Sequence, residues 1–388
     1  MPNRAMLSDD NRRSLRFLGT ASAVLLAMGL FLAPERAWSN LFVATFYLLT
    51  IGLGGTVFLA LTFVTGAGWP VAFRRVPEAM AVGVPITGGA VVAVLAWGMR
   101  QYGWPVHEGD AGTFWFKQLW LTPSFWLLRA GGYVAAWSFL GGLLVHRSRK
   151  SDRGTSQPGF LTGNVRLSAL FLVVYAVTFS LASVDWVMAL EPMWFSTMWG
   201  VYHFAGMILS ALAVIVLLCL ALSRPGRPLS GTFRAEHLHD LGKLMLGFSC
   251  FWIYIWFSQY MLIWYSNIPE ETSYFILRTH GPWGPLVVVS IVLNWLVPFF
   301  VLLPRAAKRS RSVMLRVAVV ILVGRWVDLY VMVFPPTLGQ APLFGLWEIA
   351  AIGCAAAAGI ALIDKSFQAA NPVPQHDPYL HESLHYHT

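Results

Sequence analysis

Charged side chains are scarce in this sequence: 12% of the 388 residues, against 57% hydrophobic residues. Soluble domains average about 25% charged. So few charges cannot cover a water-facing surface of this size, which excludes a soluble enzyme, a disordered chain and a nucleic-acid-binding protein. The mean hydropathy of +0.61 agrees. The net charge of +9 has another use in such a chain, because basic residues of membrane proteins gather in cytoplasmic loops and fix orientation. Cysteine is nearly absent as well. Cys219, Cys250 and Cys354 all lie in apolar runs. No Cys-x-x-Cys is present, which excludes a c-type haem site, a zinc knuckle and an iron–sulfur cluster held by this chain alone. The three thiols read as small buried apolar groups. Histidine is scarce where haem b would need it. Two axial ligands deep in the bundle are required, and only His203 lies within a span, so a dihaem cytochrome b is excluded. Alternating β-barrel patterning is also missing, since the apolar runs are continuous and too long.

Long apolar runs are what the sequence has. A membrane-crossing helix needs about 20 mostly apolar residues. Ten segments qualify, at about 17–33, 41–65, 79–98, 124–146, 165–185, 198–223, 241–265, 283–303, 313–333 and 343–364. The first follows Arg4, Arg12, Arg13 and Arg16 and ends at Pro34-Glu35-Arg36 without a small-x-small cleavage site. It therefore reads as a retained span, not a signal peptide. The chain divides into an N-terminal tail (1–16), a ten-span membrane domain (17–364) and a His-containing tail (365–388). An even span count places both tails on one side. That side carries 21 of the 27 basic residues, the opposite loops carry Arg36, Arg100, Lys117 and Arg278, and Arg129 and Arg325 lie within spans. Both tails are expected in the cytoplasm.

The opposite loops are acidic by comparison, with Glu35, Glu108, Asp110, Glu191, Glu270 and Glu271, and rich in Trp, Tyr and Pro. Part of this is the aromatic belt of any membrane protein. The longest loop, about 99–123, is a candidate docking surface for a peripheral partner. No internal repeat or long linker divides the chain.

Charges inside a bilayer are costly, so those present pair, face the bundle interior or serve a pathway. Arg325 and Asp328 sit at i and i+3 on one face of the ninth span. Arg325 lies about 18 Å in from the start of that span. Either a packing-locked ion pair or a charge pair beside a proton path fits. Asp185 closes the fifth span, Glu191 follows in the next loop, and His203 lies about a turn and a half into the sixth span. These three would gather near the outer face, where carboxylates and a histidine titrate within reach of physiological pH. Loop caps and a hydrogen-bonded core histidine are the plainer readings. At the start of the seventh span, His239, Asp240 and Lys243 offer either an exposed cap, favoured at a helix N-terminus, or a proton entry point. Gln259 and Asn294 are buried polar groups that need partners. In the tail, His381 and His385 have the spacing of a metal pair on a helix, although a flexible polar tail is the simpler expectation.

Several stretches resemble the ActF subunit of bacterial alternative complex III, within the wider NrfD-like, polysulfide-reductase-C-like group. They are Ser183-Val184-Asp185-Trp186 through Glu191-Pro192-Met193-Trp194-Phe195 to His203, then His239-Asp240-Leu241-Gly242-Lys243, then Gln259-Tyr260-Met261 through Asn267-Ile268-Pro269-Glu270-Glu271, and the ending Asp377-Pro378-Tyr379-Leu380-His381-Glu382. The resemblance covers roughly 180–388 by motif and the first third only by span pattern. It implies an all-α integral membrane protein with two four-helix bundles, spans 2–5 and 6–9, and peripheral spans 1 and 10. It implies a quinol-oxidising complex that passes electrons to a cytochrome c or an oxidase. The partners would be a sister NrfD-like subunit, an iron–sulfur subunit, haem c subunits, the lipid bilayer and the quinone pool. No cofactor would be covalently bound, with quinol or quinone engaged at the level of the complex. Asp185 and His203 would lie on an outer proton half-path, and His239, Asp240 and Lys243 on a cytoplasmic one. Family members often carry an apolar aromatic where His203 stands. Arg325 and Asp328 join the path on burial cost alone. Three functions stay open: a redox-silent subunit with a proton path, a direct quinol-binding subunit using Asp185, His203 and Glu191, and a secondary transporter.

Overall fold

The computed structural model describes residues 6–99, 119–120, 122–153, 160–191, 194–339 and 341–387. The described part is 83% helical, with no strand among the described residues. Ten helices are long and apolar enough to cross a membrane: Asp9–Leu32, Pro34–Val64, Arg75–Trp97, Pro123–Lys150, Leu161–Leu190, Trp199–Leu222, Ala235–Ser266, Gly281–Leu302, Arg311–Leu338 and Leu346–Gln368. They are numbered below as spans 1 to 10. Most of the candidate docking loop at 99–123, including Glu108 and Asp110, lies outside the described residues, as do Pro192 and Met193.

Several helices extend beyond their apolar runs, because polar residues extend a helix without adding hydropathy. Span 1 starts at Asp9, where Ser8 Oγ accepts the Asn11 N–H at 3.4 Å and Asp9 and Asp10 occupy the first turn. Both features suit a helix N-terminus. Span 2 starts at Pro34, whose missing N–H costs nothing in a first turn. Span 7 starts at Ala235, so His237 and His239 are helical too and His203 is not the only span histidine. Asn267, in the left-handed conformation at φ 49°, ends span 7.

The two chain ends meet. Asp364 in span 10 accepts from the Met6 N–H at 3.1 Å and from Arg12 Nε at 3.0 Å. Both termini thus lie at one end of the molecule, the terminal end; the opposite end is the far end. Span 1 packs along span 10. Span 2 runs through the middle and touches spans 3, 5, 6, 9 and 10. Close approach of spans 2 and 6 relies on Gly54, where an added Cβ would sit 2.4 Å from the Ala211 Cβ.

In spans 8 and 9, internal prolines free carbonyls that find side-chain donors. Proline removes the N–H that would bond the carbonyl four residues earlier. In span 8, Pro298 frees the Asn294 carbonyl, a π-helical turn covers Val292–Leu296, and Ser249 Oγ of span 7 donates to Asn294 O at 2.7 Å. In span 9, Pro335 and Pro336 free the carbonyls of Val331 and Met332. Arg278 supplies both bonds, Nε to Val331 O at 2.9 Å and one terminal nitrogen to Met332 O at 3.0 Å. Unsatisfied carbonyls at membrane depth would cost several kcal/mol each.

The C-terminal tail, expected to be flexible, is docked across the terminal end. Asp377 forms a buried ion pair with Arg74. Ser383 Oγ donates to Trp69 O at 2.6 Å and accepts from the Ala72 N–H at 2.9 Å. Tyr386 stacks at 5.9 Å on His237.

Candidate functional site

Where spans 2, 6 and 9 meet, four polar side chains form one buried cluster. Arg325, halfway along span 9, pairs with Asp328 one turn later. The Arg325 guanidinium also approaches His203 Nδ1 of span 6 at 3.2 Å, and Tyr202 donates its hydroxyl to Asp328 Oδ1 at 2.5 Å. His203 and Arg325 are wholly buried, and Tyr202 and Asp328 nearly so. Gly206 makes the space: a Cβ there would stand 2.5 Å from Arg325 Cζ. The pair is formally neutral, which lowers the cost of placing two charges in the bilayer. A guanidinium only donates, so His203 Nδ1 accepts and the imidazole proton sits on Nε2. That Nε2 has no hydrogen-bond partner among the described residues. A buried donor left unmet costs about 1–3 kcal/mol, so its presence marks strain or use. Phe46 and Trp199 close over the imidazole at 5.6 and 5.0 Å between ring centres.

Toward the far end, a cavity of about 20 Å³ is lined by Tyr202, Tyr274, Arg278 and Asp328, among others. That is room for about one water-sized group. On its other side Arg278 pairs with Glu191 at 2.5 Å. Arg278 also donates to Tyr274 O at 3.1 Å and lies 3.6 Å over the Tyr274 ring. Burial raises the Tyr274 phenol above its ordinary value, although the adjacent guanidinium opposes the shift.

At the terminal end, Asp240 is buried, contrary to an exposed helix cap. It pairs with Lys243 and accepts from the Tyr386 hydroxyl at 2.6 Å. Burial, followed by this bond to Asp240, pushes the Tyr386 phenol up to about 12. His237 accepts the Arg234 N–H at Nδ1 (3.0 Å), so its Nε2 donates to Ser383 O at 3.0 Å. His239 is buried, with no partner for Nδ1 among the described residues.

Asp185, Glu191 and His203 do not share one cluster; each has its own arginine. Asp185 is held by Arg129 at 3.1 Å, by Trp120 Nε1 at 2.8 Å and by the Tyr133 hydroxyl at 3.2 Å. Arg129 is fixed in turn by Trp120 O at 2.7 Å and by lying 3.8 Å over the Trp120 ring. Glu191 goes to Arg278 and His203 to Arg325. Sequence reasoning missed Arg129, Arg278 and Tyr202. The signal for Arg278 was Pro335-Pro336, two freed carbonyls that needed a donor. A buried network at the terminal end was missed too. There Glu78 accepts from Arg75 at 2.6 Å and Ser148 at 2.6 Å, while Arg75 also pairs with Asp152 at 2.6 Å.

Glu270 and Glu271, an unusual adjacent pair, lie in the first turn of the helix Pro269–Thr279, where carboxylates are favoured. Gln259 is buried, with Nε2 lacking a partner among the described residues. The His381 and His385 rings lie 4.3 Å apart. No group of three His, Cys, Asp or Glu side chains able to hold a metal occurs among the described residues. No family model matches the chain, and no curated protein matches it.

Proposed function

We propose that this chain is an integral membrane subunit of a bacterial quinol-oxidising complex that delivers electrons to a cytochrome c or an oxidase. It carries no haem or iron–sulfur cluster itself. Its buried ionisable groups serve as two proton half-paths that meet at His203, Arg325 and Asp328. The sequence resemblance supports membership of the complex, and the span layout fits two four-helix bundles, spans 2–5 and 6–9. The surplus of basic residues at the terminal end supports a cytoplasmic placement of both termini in the plasma membrane.

The observation that carries the proton role is the four-residue cluster at mid-membrane depth. Ionisable side chains at that depth are rare and line proton pathways. Carboxyl and imidazole groups are the usual proton carriers in such pathways, whereas an arginine stays charged. From Asp328, the small cavity beside Tyr202 and Tyr274 leads toward Glu191, which makes Glu191 the better far-end outlet. Asp185, clamped by Arg129, Trp120 and Tyr133, is better suited to holding spans 4 and 5 together. Asp240 and Lys243, beneath Tyr386, form the cytoplasmic entrance.

The test is purification of the tagged chain from native membranes in a mild detergent. The proposal expects haem c and iron–sulfur signals in fixed ratio to the chain. Recovery of the chain alone, stable and monodisperse, would overturn it.

A further inference from the structure

Two cavities lie on the flank of span 6, and the first shares Asp240 and Lys243 with the proposed entrance. The first, about 390 Å³, lies at the terminal end between Phe58 and Leu61 of span 2, Thr65 just beyond it, Leu212 of span 6, and Lys243 and Phe248 of span 7. The second, about 360 Å³, continues toward the far end between Leu61, Tyr175, Phe179, Gly200 and Phe204. Leu61 lines both. Phe204 of the second and Phe248 of the first meet edge to face at 6.2 Å. Along span 6, Gly200 to Leu212 is about 18 Å at 1.5 Å per residue. One leaflet of a bilayer's hydrocarbon is about 15 Å deep. The groove is therefore about one acyl chain long and runs along span 6.

Its walls are mostly apolar, and its charged groups gather at one end. There Lys243, with its side chain 52% exposed, and Asp240 stand side by side with opposite charges. Tyr386, held by the docked tail, closes the same end. A single anionic head would meet Lys243 but also the Asp240 carboxylate. A neutral head would add no charge-assisted contact to this pair. A head bearing both a phosphate and an ammonium matches both partners, phosphate to Lys243 and ammonium to Asp240.

We propose that this groove is a site for one zwitterionic phospholipid, with an acyl chain against Leu61, Phe204 and Phe248 and its head between Asp240 and Lys243. The C-terminal tail completes the site through Tyr386. The proposal needs only the membrane location, so it stands or falls apart from the redox reading.

The experiment loads the full chain in nanodiscs of equal phosphatidylethanolamine and phosphatidylglycerol, transfers it to detergent and counts retained lipids by native mass spectrometry. The expected result is one phosphatidylethanolamine per chain. Lys243→Gln removes the positive head contact together with the Asp240 pairing and lowers that retention about tenfold, as loss of a charge-assisted contact of about 1.4 kcal/mol requires. Leu61→Trp, at a residue 37% exposed, fills the junction of the cavities and abolishes retention. Phe300→Trp, on the exposed surface of span 8, leaves it unchanged. Equal retention in the wild type, Lys243→Gln and Leu61→Trp would overturn the proposal. So would retention of phosphatidylglycerol in its place, or of an isoprenoid quinone carried from the cell membrane.

Discussion

Arg325 and Asp328 are tolerable in the bilayer only as partners. Removing one leaves the other as a buried, uncompensated charge, which costs about 3–5 kcal/mol. Arg325→Met and Asp328→Leu should each lower the thermal midpoint of the purified chain in nanodiscs, and the double variant should recover most of that loss. Gly206→Ala should cost about 1–3 kcal/mol in the same assay, since its methyl would overlap the guanidinium. The pairing itself is legible in the sequence, because i, i+3 residues share a helical face. The other half of the cluster is not. His203 and Tyr202 lie 122 and 126 residues from their partners, and no local spacing reports a contact at that range. Separations of 56 and 87 residues hid Arg129 from Asp185 and Arg278 from Glu191, which is why three residues read as one gathering occupy three separate sites.

Among whole helices, the prolines of span 9 and Arg278 form a unit. Arg278→Met should destabilise the chain by leaving two carbonyls without donors. In a Pro335→Ala/Pro336→Ala background those carbonyls regain their helical N–H groups, and the same substitution should cost less by about 1–2 kcal/mol. Glu191, which loses its partner in both backgrounds, cancels from that comparison. The docked tail makes a different prediction. Tyr386 has its phenol raised by burial and by its bond to Asp240. The folded state therefore holds this proton more tightly than the unfolded state. The stabilising bond should be fully present below about pH 10, the ordinary tyrosine range. It should be lost as pH rises through about 12. The alkaline phenolate absorbance of the protein minus that of Tyr386→Phe should titrate near this value, and a midpoint near 10 would contradict the bond. Hydropathy marks the apolar middle of each span well and its polar ends badly, hence the extra turns at Asp9 and Ala235. It also reads only preference for water, so a polar tail docked through Asp377 and Ser383 looks the same as a free one.

For the molecule as a whole, the ten spans were legible because each needs a long apolar run, and few other structures do. Orientation is an expectation from the charge distribution, since 21 of the 27 basic residues fall on one side. Ser230→Cys at the terminal end should react with an impermeant maleimide only from the cytoplasmic side, and Ser273→Cys only from the other, in a background lacking Cys219, Cys250 and Cys354. What the fold adds is the meeting of spans 2, 6 and 9 around four polar side chains, with Asp240 at one end and Glu191 toward the other. The most direct test of that path is quinol-driven pH change in sealed vesicles holding the assembled complex. Asp328→Asn and Asp240→Asn should each lose the pH change while quinol oxidation continues in the presence of an uncoupler. A pH change as large as the wild type's in both variants would contradict the proton path.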